Sequence, residues 1–393
     1  MSEAANPVWI TGIGLLTALG EGNDAHWQAV NAAKPCNVDS ERFAPYPAHT
    51  LGEVDWSQQI SRRDMRQMEP WQQIGTYAAG LALDDAGVKD DEDLCGRMDM
   101  IVAAGGGERD LEVDSTVMAE ARGKNDKDAL LAERLSNDLR PTLFLAQLSN
   151  LMAGNISIVH KVTGSSRTFM GEEGAGISAV QTAAARIASG QSDIVLVGGA
   201  FNGEREDMLL LFELGHYLLR GDMKSVWERL EGSSGFAAGS MGAFLVLESK
   251  AHAQARGAEP YARIGAVAAD HGSRSGGAAK GRLEAAIAST SAPDDVAILS
   301  GASGVSEITA EEKEVLDARF PGNPVRAYGT LFGHGIEAQF PLGIALAALA
   351  IRNQGFYPPL DSHEQPANNN PDNILVTTVG HWRSEGVGLV SRV

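Results

Sequence analysis

Cysteine is scarce in this chain. Cys36 and Cys95 are the two cysteines among 393 residues. Two thiols make no disulfide framework, and their spacing matches no zinc pattern. Long apolar runs are lacking as well. No stretch reaches the roughly 18 residues that a membrane span requires, so membrane insertion is not expected. The opening MSEAANPVWITG has no basic segment followed by an apolar one and does not read as a signal peptide. These absences together point to the cytoplasm. Positive charge is also short, with 32 Lys and Arg against 51 Asp and Glu, a net charge of −19. A nucleic-acid partner calls for the opposite sign. The most basic segment, Ser61 to Arg66, reads as a solvated helix face.

What remains is an ordinary globular balance, 44% hydrophobic and 21% charged. The length suffices for two core-forming units, or one large unit with two halves. The 45 glycines suit tightly packed layers. Val8–Leu16 reads as a buried strand, residues 67–87 as a helix closed by Gly87, and Met100–Ala104 as a strand. Leu143–Val159 and Gly176–Ser189 read as helices, Ile194–Val197 as a strand ending at Gly198-Gly199, and Ala243–Leu247 as another strand. Glu248–Gly257 reads as a surface helix and connector. A second series follows, with strands at Ala262–Ala268, Val296–Leu299, Asn373–Thr378 and Val387–Val390. Its helices are Gly281–Ala288, Glu311–Arg319 and Ile336–Asn353, and the polar segment 362–372 is a loop. Strands alternating with helices predict a layered α/β fold. The restart divides the chain into halves 1–254 and 255–393. Gly105-Gly106-Gly107 follows a strand but lacks the spacing of a nucleotide loop. His26, His160, His216 and His271 show no metal-like spacing. No cofactor and no metal are expected.

Several segments resemble the β-ketoacyl-acyl-carrier-protein synthases, the condensing enzymes of the thiolase fold. VWITGIGLLTALGEGNDAHWQAVNAAKP is similar to their first strand, turn and helix. RRDMRQMEPWQQIGTYAAGLALDDAGV and LFLAQLSNLMAGNISIVHKVTGSSRTF are similar to the segments leading to the nucleophile loop. GQSDIVLVGGAFN and GFAAGSMGAFLVLESKAHAQARGA match the rest of the first half. The likeness covers nearly the whole chain in order and spacing. It implies a thiolase-like five-layer fold of two similar halves, usually dimeric, and an acyltransferase ancestry.

A condensing enzyme needs a thiolate at a helix N-terminus, where the dipole lowers its pKa. It also needs two imidazoles to stabilise the enolate formed on decarboxylation. In the family a lysine and a carboxylate hold these together. The resemblance puts the nucleophile at the tenth residue counted from Gly164, which is Glu173. A carboxylate there forms no thioester. Glu172 and Glu173 also read as first-turn acids favoured by the helix dipole. Ser303 stands at the first histidine, Gly329 at the lysine and Glu312 at the structural carboxylate, while His334 retains the second histidine. The glycine-rich gate is replaced by Val379-Gly380-His381-Trp382-Arg383, whose bulk should fill it.

The resemblance therefore implies a degenerate member similar to the chain-length factors. Such a protein pairs with an active synthase as a heterodimer, or with itself, and meets acyl carrier protein through the complex. Its own acidity disfavours a direct grip on an acidic carrier. The expected dimer face is the strand near Gly164–Phe169 with the apolar run from Leu143. Whether the chain is itself an enzyme stays open at this point. Alternatives are decarboxylation of malonyl-carrier protein by Glu173 and His334, or a weakly active synthase. The wording also resembles synthase-like proteins of Gram-negative bacteria that accompany very-long-chain acyl synthesis for lipid A.

Overall fold

Ten consecutive residues, Val8–Thr17, form a strand buried along its whole length. Branched apolar side chains suit a strand covered on both faces. Gly12 and Gly14 interrupt them for a different reason. A Cβ on Gly14 would lie 2.0 Å from the carbonyl of Ala78, so only glycine lets the helix Pro70–Asp85 settle on this strand. That helix was expected from residue 67 and starts three residues later, at Pro70. Pro70 sits in its first turn, and Glu69 and Gln72 form a reciprocal capping box. It ends at Gly87, in the left-handed conformation, as expected.

The computed structural model describes residues 6–33, 36–139, 145–274 and 278–393. Its main sheet has eleven strands, one of them the two-residue Gly20–Glu21 paired to the end of Val8–Thr17. From the middle outward, one half runs Val8–Thr17, Met241–Ser249, Ile194–Phe201, Asp99–Ala104 and Ser166–Met170. The other runs Ala262–Ser273, Arg383–Ser391, Asn373–Val379, Ala297–Ser300 and Val325–Ala327. Both halves have antiparallel pairs near the middle and parallel pairs outside. They meet through three residue pairs, Val8 to Ile10 against Ala262 to Ile264. Helices Glu173–Ala188 and Gln339–Arg352 pack against each other and touch strands of both halves. Their small and branched residues build the largest core cluster. Helices outside cover the other faces, giving the layered thiolase-like arrangement that the sequence predicted.

Several sequence assignments need correction. The strand from Ile194 does not stop at the glycine pair but continues to Phe201. A Cβ on Gly198 would meet the carbonyl of Ala243 at 2.2 Å, so these glycines serve close approach inside the sheet. Glu248 belongs to a strand and is fully buried, bonded to Thr11, His252 and Arg256, while the helix covers only Lys250–Ala255. The helix expected from Gly176 begins at Glu173, and the one expected from Glu311 begins at Ser306. Ile336–Ala338 is a 3-10 turn before the long helix. The helix expected from Leu143 is described only from Leu151 to His160, and its first two positions lie outside the described residues. Helices Leu111–Ala121, Lys127–Asn137 and Glu206–Leu214 were not anticipated.

Ser61 to Arg66 forms a capped single turn of exposed and half-buried residues. Among the described residues no helix is long and apolar enough to cross a membrane. Large exposed apolar side chains, apart from Trp382 and Val393, fall between Met118 and Leu214. Met170, at 75% exposure, ends the outermost strand of the first half, Ser166–Met170.

Candidate functional site

Glu173 is the first residue of the central helix Glu173–Ala188. Its backbone amide and those beyond lack intrahelical partners, so the local dipole favours a negative charge. Its neighbour Glu172 behaves as the sequence suggested, facing outward to Arg383 at 3.2 Å. Glu173 does not. It has no exposure to solvent. His334 Nε2 lies 2.8 Å from its Oε1, and His381 Nδ1 lies 2.6 Å from the same oxygen.

Three separate segments deliver these groups. Gly333, with φ 71, turns the chain so that His334 follows a short helix. The His334 amide donates to the Ala237 carbonyl at 2.8 Å, which pins the backbone. His381 comes from the connection between strands Asn373–Val379 and Arg383–Ser391. The two imidazoles stand edge to face, 4.9 Å between centroids. Phe236 lies 4.8 Å from the His381 ring and 5.4 Å from that of His334, and Tyr217 and Phe212 complete an aromatic wall.

Burial by itself raises the Glu173 carboxyl, but the imidazoles of His381 and His334 outweigh it and hold the group well below the usual carboxylate range. Burial also keeps His334 below the ordinary imidazole value, against the pull of Glu173. The centre is thus a buried carboxylate clamped between two histidines. Glu173 Oε2, His334 Nδ1 and both nitrogens of His381 have no hydrogen-bond partner.

The other expected stations make no hydrogen bond to this centre. Ser303 is buried, its hydroxyl accepting from the Val305 amide at 3.3 Å and its carbonyl accepting from Arg229 at 3.0 Å. Gly329 opens the short helix Gly329–Phe332, and a Cβ there would already lie 3.1 Å from the Ala302 carbonyl. A longer side chain has little room. Glu312 accepts from Ser300 at 2.8 Å and Thr377 at 2.5 Å, and its burial pushes its carboxyl up. Gly106 and Gly107 present carbonyls to Arg205 at 2.9 and 3.0 Å, the wrong polarity for a phosphate loop.

Two participants were missed by the sequence reading. His381 was taken as gate-filling bulk, and its Nδ1 lies 2.6 Å from Glu173 Oε1. Arg229 is almost fully buried, and burial pulls its guanidinium down to about 10. It donates to carbonyls of Lys224, Gly235 and Ser303. Nothing in its charged neighbourhood, Trp227-Glu228-Arg229-Leu230-Glu231, marks it as interior. Glu173, His334 and His381 form a group of ligand-type atoms within 4.8 Å of one another, where the sequence had suggested no metal.

Solved structures define the class first. A structure described as the ishigamide ketosynthase/chain length factor superposes with a TM-score of 0.82 at 18% identity, covering 99% of this chain and 100% of that one. A type II polyketide synthase acyl-carrier protein in complex with its ketosynthase gives 0.75 at 18% identity, with coverage of 99% and 100%. The fold is that of the ketosynthases. Residues 5–253 match the family described as beta-ketoacyl synthase, N-terminal domain, and the chain belongs to that family. The 3-oxoacyl-[acyl-carrier-protein] synthase 2 of Vibrio harveyi is 27% identical over 267 residues, 65% of this chain. That match spans 61% of the Vibrio protein, under two thirds of its length. The tetracenomycin polyketide synthase ketoacyl synthase beta subunit of Streptomyces glaucescens is 29% identical over 372 residues, 89% of this chain and 87% of that protein.

Proposed function

We propose that this chain is a non-condensing subunit that pairs with an active β-ketoacyl synthase in fatty acid or polyketide chain elongation on an acyl carrier protein. One observation carries the reading. The residue standing for the nucleophile, Glu173, is a carboxylate sealed by His334 and His381. It can neither hold an acyl chain as a thioester nor release its histidine partner to one. Ser303 and Gly329 supply no imidazole and no ammonium. The division into halves 1–254 and 255–393 belongs to the same reading, with the altered nucleophile loop in the first. Similarity to a ketoacyl synthase beta subunit and to a ketosynthase/chain length factor supports it.

Decarboxylation of a malonyl thioester is the weaker reading, because His334 Nε2 already faces Glu173 at 2.8 Å. The expected partner surface is the outer strand Ser166–Met170 with its exposed apolar neighbours. An obligate interface buries more than about 2,000 Å² and is rich in apolar area. A very-long-chain acyl product of the lipid A type is one outcome for the assembled pair.

The experiment is co-expression with a tagged, cysteine-bearing synthase from the same organism. The pair should co-purify as a heterodimer. Alone, this chain should yield no β-ketoacyl product and no covalent acyl adduct by mass spectrometry. A stable homodimer that ignores the synthase, or an acyl-enzyme on this chain, defeats the proposal.

A further inference from the structure

We propose that Glu173, His334 and His381 form a closed binding site for a divalent transition-metal ion, zinc foremost. The three residues come from different parts of the chain, a helix start, a turn and a strand connection. Yet one ligand-type atom of each lies within 4.8 Å of those of the other two. One carboxylate with two imidazoles is a donor set suited to zinc and to related ions of intermediate softness.

Protons alone serve this arrangement poorly. His334 Nε2 donates well to Glu173 Oε1 at 2.8 Å. His381 Nδ1 approaches the same oxygen to 2.6 Å but without hydrogen-bond geometry, so both nitrogens of this buried ring are unpartnered. Glu173 Oε2 is unpartnered too. Buried polar atoms are rarely left so. A cation between them would engage His334 Nε2, His381 Nδ1 and both oxygens of Glu173, making four donors. Around zinc, with bonds of about 2.1 Å, donors on different residues stand roughly 3 to 3.5 Å apart. The observed 2.6 and 2.8 Å separations then need to open by about 0.4 to 0.9 and about 0.2 to 0.7 Å.

The surroundings narrow the choice of ion. Phe212, Tyr217 and Phe236 wall the two rings. Magnesium keeps several waters and prefers oxygen donors, so it does not suit an apolar cage with two nitrogens. Nor do open coordination positions, as an oxygen-activating iron requires, fit a carboxylate and imidazoles with almost no exposure. The site is therefore structural. It would tie the head of the central helix to the His334 turn and to the strand connection at His381. This inference is independent of the partner reading, because it concerns the isolated chain.

Because the site is sealed, the ion must load during folding or local opening. The test unfolds the full chain in a chelator and refolds it with Zn²⁺ or with Co²⁺ as a coloured substitute. Metal content after gel filtration should be about one ion per chain. Cobalt should show the intense visible bands of a four-coordinate centre. X-ray absorption on the zinc form should read two imidazoles and oxygen with no sulfur. Glu173→Gln, His334→Gln and His381→Gln should each lose the ion. His363→Gln, which removes an exposed histidine beside Glu231 and Asp361, should keep it. Three results overturn the proposal: refolded wild-type protein that retains no ion, a donor set containing sulfur or lacking imidazole, or folded triad variants that bind as well as wild type. The first two need no variant, so a variant that fails to fold leaves the test decisive.

Discussion

Glu173 carries its carboxylate into a place without solvent, where its charge depends on two imidazoles. A solvated first-turn acid would contribute only about 0.3–1 kcal/mol. Removing one partner of a buried ionic cluster costs more, about 3–5 kcal/mol. In metal-free protein, Glu173→Ala should therefore lower the unfolding free energy by about 3 kcal/mol in urea titrations. A loss below about 0.5 kcal/mol would return Glu173 to the first-turn role. The resemblance singled out Glu173 by its spacing from Gly164, although the helix was expected from Gly176 and starts at Glu173 itself. It did not reveal the cluster, since His334 lies 161 residues away and no local pattern links the two. His381 was hidden for a related reason. Replacing a glycine gate with bulk suggests filling, whereas the ring's position beside Glu173 depends on how two strands end.

At the scale of elements, strong local signals survived folding and weak ones did not. The helix Pro70–Asp85 has a proline start, a capping box and a glycine stop; the stop was read from the sequence, while the start was placed three residues early, at residue 67. Helices Leu111–Ala121 and Lys127–Asn137 bury only Val113 and Leu130, so they present no apolar stripe to recognise. The strand Ser166–Met170 was expected at a subunit face. In the single chain it is a sheet edge, a liability unless covered. Within it Phe169 packs on the core and Met170 is exposed. Met170→Asp should thus leave the melting temperature of the isolated chain nearly unchanged and abolish co-purification with the synthase. Phe169→Asp should lower both, because it also injures the core. Equal complex formation by wild type and Met170→Asp would move the interface elsewhere.

For the whole molecule, acid is the telling perturbation. Burial pulls His26 down to about 4, His49 to about 3 and His160 to about 4. Unfolded, each imidazole binds its proton near pH 6.5. The unfolded chain then holds more protons, so stability is complete above pH 6.5 and falls as pH drops toward 4. Glu337 opposes this, since burial pushes its carboxyl up to about 8 and its contribution fades as pH rises toward that value. Asp85, Glu108, Glu312 and Glu364, also raised by burial, act in the same direction as Glu337. Each histidine adds a slope of about 1.4 kcal/mol per pH unit. His26→Gln should shed one such share in urea titrations between about pH 5 and 6, and an unchanged slope would contradict the assignment. None of this was readable from sequence, which marks histidines but not their burial.

The sheet order also shapes the path of the chain. Val8 pairs with Ile264, and Ile264 pairs on its other side with Val390. Two strand spacings of about 4.8 Å put Val8 and Val390 about 10 Å apart. The start of the first strand and the end of the last therefore lie close together. A short polar linker between these ends, with a new opening inside the loop 362–372, would give a circularly permuted protein that keeps every strand pairing. Its first strand would then be Asn373–Val379.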